Sequence, residues 1–156
     1  MRKSRVSVRS LLPLFLVLVM LLPGLVNAYP EGIGGEQQNG AETIDDVAKE
    51  GCLCHGAEPS NSVMILLVGV PHTWAPDQVY NMRLEIVGGP ATDMGGFSAR
   101  VSAGEFSGDG QAWEDDTATR THVSSATRIF EITWTAPTAG AGHIDFWITG
   151  NAVNGA

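Results

Sequence analysis

Two cysteines occur in the whole chain, and both fall in the six-residue stretch Gly51-Cys52-Leu53-Cys54-His55-Gly56. Thiolate sulfur and imidazole nitrogen are the donors preferred by soft and borderline metals, and histidine is a common ligand of haem iron. A Cys-x-x-Cys-His run attaches c-type haem: both thiols add to the porphyrin vinyl groups and the histidine becomes the proximal iron ligand. Here the spacer is one residue short. With a single intervening residue, an extended backbone puts the two sulfurs on the same face, whereas a helical one sets them about 200° apart. A helical turn is therefore incompatible with double attachment, which leaves a bent or extended local backbone, or single attachment through Cys54. Cys52 and Cys54 are the expected attachment residues and His55 the expected proximal ligand. A second axial ligand would come from His72, His122 or His143, or from Met64, Met82 or Met94.

The same three residues support other chemistry. Two thiolates and an imidazole suit copper, completed by a distant His or Met. Zinc is less well served, because a closed structural site wants a fourth ligand at a recognisable spacing. A Cys52–Cys54 disulfide is the plain alternative. It closes almost no loop, so it adds little stability, and its strained small ring is easily reduced. Taken singly, His72 is a turn residue after Pro71, His122 sits in a polar stretch, and His143 starts an exposed strand face. The acidic run Asp109, Glu114, Asp115 and Asp116 lacks calcium-loop spacing and is expected to be a solvated loop. Trp113 and Trp147 are candidates for lining a binding surface, whereas Trp134 falls in register with core positions. There is no Gly-x-Ser-x-Gly elbow, no His-Glu-x-x-His and no glycine-rich phosphate loop, so a carrier or binding role is expected before an enzymatic one.

The surrounding elements explain where that stretch sits. Arg2, Lys3, Arg5 and Arg9 precede the apolar run Leu11–Val26 and the compact Val26-Asn27-Ala28, which reads as a signal peptide over residues 1–28. The run is short of a comfortable membrane span and carries Pro13 and Pro23, so a retained anchor is the lesser alternative. Cleavage after Ala28 leaves five basic side chains against 17 acidic ones, a net −12. Such a charge disfavours nucleic acid and anionic lipid as partners and suits an extracellular or cell-surface protein. Its expected partners are a redox protein or a cell-surface component.

Residues 29–50 read as a flexible lead-in and a short helix over Ala41–Glu50, with Thr43 as N-cap and Gly51 as the stop. From Val63 onward the period is that of strands. Val63–Val68 is a continuous apolar run, which predicts a strand covered on both faces. Tyr80, Met82, Leu84 and Ile86 alternate with polar residues, as do Phe97, Ala99 and Val101, then Phe130, Ile132 and Trp134, then Ile144, Phe146 and Ile148. The polar stretch Gly104–Ser125 predicts a long excursion or two short edge strands. Short alternating strands between Gly/Pro turns define an all-β fold, an antiparallel β-sandwich over residues 51–156.

Four stretches occur in order: Gly51–Gly56, Gly95-Gly96-Phe97-Ser98-Ala99-Arg100-Val101, Trp134-Thr135-Ala136-Pro137, and Phe146-Trp147-Ile148-Thr149-Gly150-Asn151-Ala152-Val153-Asn154-Gly155. Together they resemble the reeler-like β-sandwich domains of exported bacterial and archaeal proteins, especially those called choice-of-anchor V. Many of these carry Cys-x-x-Cys-His or the shortened Cys-x-Cys-His near their start. The resemblance implies a reeler or immunoglobulin-like sandwich. It also implies a C-terminal continuation with an anchor, so the chain is expected to be C-terminally truncated. Three functions remain open: a haem-bearing electron-transfer or redox module, a non-catalytic adhesion or interaction module with a Cys52–Cys54 disulfide, and a copper carrier.

Overall fold

The computed structural model describes residues 60–113 and 115–154. The signal peptide expected over residues 1–28, the helix expected at 41–50 and the Cys-Leu-Cys-His stretch all lie outside the described residues. Eight strands follow one another along the chain: β1 (Val63–Val68), β2 (Val79–Gly88), β3 (Gly95–Val101), β4 (Glu105–Gly108), β5 (Gln111–Trp113), β6 (Asp116–Thr121), β7 (Ile129–Thr135) and β8 (Phe146–Ala152). They form two four-stranded sheets, ordered β1-β2-β7-β4 and β5-β6-β3-β8. Every pairing within these sheets is antiparallel. The all-β sandwich expected from the sequence is therefore the fold.

Its core is the inward half of each alternating strand. Met82, Leu84 and Ile86 from β2, Phe97, Ala99 and Val101 from β3, and Phe130, Ile132 and Trp134 from β7 are all buried, together with Phe106 of β4 and Ala136. A period-2 strand turns one set of side chains to each face, so the facing sheets bury these rows against each other while Asn81, Arg83 and Glu131 stay outside. Aromatic contacts tie the layers, with Phe97 and Phe130 at 4.6 Å between ring centroids. Burying this continuous apolar face is the main favourable term holding the sandwich together.

Three expectations need correcting. β1 is not covered on both faces: Met64, Leu66 and Val68 are 62%, 40% and 61% exposed, and only Val63, Ile65 and Leu67 pack on the core. β1 is an edge strand paired to β2 alone in a two-layer sandwich, and no third layer covers its outer face among the described residues. Gly104–Ser125 holds three strands, and β6 is interior, between β5 and β3. Its polar residues fit because Thr119 and Thr121 bury their hydroxyls with partners: Thr119 donates to Asp116 O at 2.7 Å and Thr121 to Phe97 O at 3.1 Å. Finally, β8 begins at Phe146, so His143 and Asp145 belong to the preceding loop.

The chain crosses between sheets at Gly108-Asp109-Gly110, and the acidic stretch serves that corner. Asp109 Oδ2 accepts Glu131 N at 2.8 Å, and Arg120 donates to the carbonyls of Gly108 and Asp109. Burial holds the Arg120 guanidinium below the ordinary arginine value, with the Asp109 charge acting in the opposite sense. Gly110 adopts φ +91°, and a Cβ there would lie 2.3 Å from Thr121 O, so this corner requires glycine. Asp116 is likewise engaged, pairing with Arg100 at 2.5 Å and accepting Ala118 N at 3.0 Å.

Candidate functional site

The strand directions define two ends of the sandwich. At one end β2 finishes, β3 starts and β8 finishes; Gly89 donates its N–H to Ser62 O at 2.9 Å there, just before β1 begins. At the other end β2 starts, β7 finishes and β8 starts. The histidines singled out from the sequence divide between them.

His122 lies at the first end. Its position continues the β3–β6 ladder: the backbone N–H of His122 donates to Phe97 O at 3.2 Å, as a ladder partner would. The return bond is different, because Phe97 N–H donates to the imidazole Nδ1 at 3.1 Å. Phe97 O already takes the N–H of His122 and the hydroxyl of Thr121, so Nδ1 is assigned as acceptor and Nε2 carries the proton. The ring lies over the backbone of Gly96, where a Cβ would come within 2.4 Å of Cε1. Ligation through Nε2 would move the proton to Nδ1, which would break the bond from Phe97 N–H and leave Nδ1 to donate to Phe97 O, 3.1 Å away. The expectation of a solvated His122 is thus replaced by a half-buried imidazole that closes a strand end. The methionines divide similarly. Met82 is 1% exposed in the core, which removes it as an axial ligand, while Met64 sits on the outer face of β1.

The structure brings His72 and His143 together at the second end. Both border an open cleft of about 520 Å³ between the β1–β2 and β7–β8 loops, lined also by Val70, Thr73, Trp74, Ile144 and Phe146. Trp134 underlies its floor but is itself sealed from solvent. It stacks on Tyr80 at 5.5 Å and meets Phe146 and Trp74 edge-on at 5.0 and 6.4 Å. Hydrogen bonds fix the frame: Trp134 Nε1 donates to Ala103 O at 3.1 Å, and Ala75 N donates to Tyr80 Oη at 2.9 Å. Trp74 Nε1 donates to Gly142 O at 3.2 Å, joining the two walls. The floor is thus a rigid aromatic cluster and the walls are loops pinned to it.

His143 Nε2 lies 3.1 Å from Asp145 Oδ1, with the histidine side chain 87% exposed. Ser102 is close by, and its Oγ accepts the backbone N–H of Asp145 at 2.9 Å. Ser102 therefore bonds to the main chain and not to the imidazole, which is not the connectivity of an acyl-transfer triad. Among the described residues, no three His, Cys, Asp or Glu side chains gather closely enough to hold a metal ion. Cys52, Cys54 and His55 lie outside the described residues.

Sequence reasoning singled out His72 and His143 but missed Trp74, Ile144 and Phe146 as parts of one site. The signal was faint: an aromatic residue in the Pro71–Pro76 loop, where turn chemistry alone calls for none. Trp147 falls on β8, and Trp113 on β5, where its Nε1 is buried without a hydrogen-bond partner. Neither belongs to the cleft lining.

Fold and cleft together define an antiparallel β-sandwich with an aromatic site at the end of its strands. No protein-family model matches the chain, and no curated protein matches it. Among solved structures, it is similar to the human F-spondin reeler domain, with 18% identity and a TM-score of 0.45 over 58% of this chain and 76% of that one. A second structure, the Reelin-N domain of F-spondin, gives 20% identity and a TM-score of 0.45 over 58% and 72%. The fold assignment itself rests on the strand order and pairing described above.

Proposed function

We propose that this chain is an exported, non-catalytic interaction module that receives its ligand in the aromatic cleft between the β1–β2 and β7–β8 loops. The observation that carries this reading is a preformed, open, aromatic-floored concavity whose walls are tied together by Trp74 and Gly142. Binding sites favour concave surfaces carried on loops held by a rigid scaffold, and this one mixes aromatic and aliphatic side chains with the polar His72, Thr73 and His143. Export is supported by the N-terminal signal pattern, and a cell-surface component is the expected class of partner. A membrane would be reached only through a retained signal segment or a C-terminal anchor of the kind found in choice-of-anchor V proteins. The test is a peptide and glycan array probed with the exported protein and with Trp74→Ala. A ligand that loses at least tenfold in affinity to the variant, at unchanged circular dichroism, supports the cleft. Equal binding by the two proteins would place the ligand elsewhere.

A second reading assigns a redox role to the Cys-Leu-Cys-His stretch. In sequence, Cys52, Cys54 and His55 stand eight to eleven positions before Val63, where β1 begins. The donor types fit c-type haem, while the shortened spacing and the occupied Nδ1 of His122 count against a bis-histidine centre built on that residue. When bound, haem would supply one-electron transfer, with Cys52 and Cys54 as attachment points and His55 as the proximal ligand. An absorbance spectrum of the exported protein discriminates. A Soret band that survives acid-acetone extraction supports covalent haem, and copper by metal analysis supports the carrier. A colourless, metal-free protein leaves the two cysteines as a loop-pinning disulfide.

A further inference from the structure

Resting on the cleft as the binding site, we infer that its occupant is cationic: a lysine or arginine side chain presented by a segment of a partner protein. The charge distribution at that end is one-sided. Neither residues 69–79 nor residues 135–146 include a Lys or Arg, whereas Asp77 and Asp145 stand on those same stretches. Neither lines the cleft itself, but both stand on the loops that form its walls: the Asp77 backbone N–H donates to Pro137 O at 3.3 Å, and Asp145 is held to Ser102 and faces His143. Glu105 opens β4 at the same end, opposite Thr135. The arginines nearest in register already have carboxylate partners, Arg83 with Glu85 at 3.5 Å and Arg100 with Asp116 at 2.5 Å. No Lys or Arg of the two loops offsets the negative charge of this end; the basic groups bordering the cleft are His72 and His143, with His143 beside Asp145.

Aromatic rings bounding such a field select for cations. Each ring carries a negative face, so an ammonium or guanidinium beside Trp74 or Phe146 gains cation–π attraction while its stem covers apolar surface. A cleft of about 520 Å³ holds one long basic side chain with part of its backbone. The net −12 left after signal removal steers basic partners toward the molecule in general, and the cleft supplies the specific endpoint. A neutral sugar would use the aromatic rings and could donate hydroxyls to these carboxylates, but it would gain no charge–charge attraction from Asp77 and Asp145.

The Trp74 indole N–H, donating to Gly142 O, gives a local reporter by proton–nitrogen NMR. The exported protein is titrated with an acetylated Gly-Lys-Gly-Arg-Gly amide and with the same peptide carrying acetyl-lysine and citrulline. The basic peptide is expected to shift the Trp74 indole signal saturably, with the neutral peptide at least tenfold weaker. Asp77→Asn together with Asp145→Asn is expected to weaken the basic peptide about fivefold or more. Asp77→Asn alone serves if the pair fails to fold, because asparagine tolerates the φ of +59° found there. Equal affinity for the two peptides overturns the cationic assignment. So do shifts that rise without saturation across the acidic surface. A neutral peptide or an oligosaccharide that saturates the Trp74 signal keeps the cleft as a site and removes only the charge preference. Failure of every probe removes both.

Discussion

At the scale of single residues, the pairing of His122 with Gly96 shows how one imidazole can serve as structure where sequence offered it as a ligand. The ring occupies the space a Cβ on Gly96 would need, and its Nδ1 takes the N–H that an ordinary ladder would give to a carbonyl. Gly96→Ala should therefore destabilise the protein by about 1–3 kcal/mol through overpacking. His122→Ala should cost about 1 kcal/mol for the lost acceptor. The double variant should cost clearly less than the two added together, because removing the ring removes the clash. Urea unfolding of the four proteins checks this; strict additivity would mean that ring and glycine do not share that space. Arg128 makes a second residue-scale claim. Its guanidinium donates to the carbonyls of Gly88, Pro90 and Met94 at 2.5, 2.8 and 2.9 Å, stapling the β2–β3 turn to the approach to β7. Arg128→Ala should lower stability by about 2 kcal/mol and raise amide exchange in residues 88–94 more than elsewhere.

At the scale of elements, the two faces of β1 should respond differently from those of β2. Met64→Thr and Val68→Thr, on the outer face, should each change stability by no more than about 0.5 kcal/mol. Leu84→Ala, at the centre of β2, should cost about 2–5 kcal/mol, read from the same unfolding midpoints. The core rows of β2, β3 and β7 were legible in the sequence because strict alternation admits one reading when one face is wet. The run Val63–Val68 carries no such contrast. A doubly covered strand and an apolar edge strand share that pattern, and only the sheet order decides between them. β6 was hidden for the opposite reason, since its buried threonines look polar until their hydrogen-bond partners are known. The cleft was legible only in fragments. His72 and His143 stand 71 positions apart, and what joins them is that the β1–β2 and β7–β8 connections leave the sandwich at the same end.

At the scale of the whole molecule, the account separates two ends of one sandwich. One end holds the start of β1 and is closed by His122 and Arg128. The other is open, aromatic and acidic. Ligand binding should therefore leave its mark on one end alone. The most direct measurement is amide hydrogen–deuterium exchange of the purified protein, with and without the tightest ligand selected on the array. The account predicts slowed exchange in residues 69–76 and 139–146, with residues 88–95 and 121–123 unchanged. Protection confined to residues 88–95 and 121–123, with the cleft loops unaffected, would contradict it.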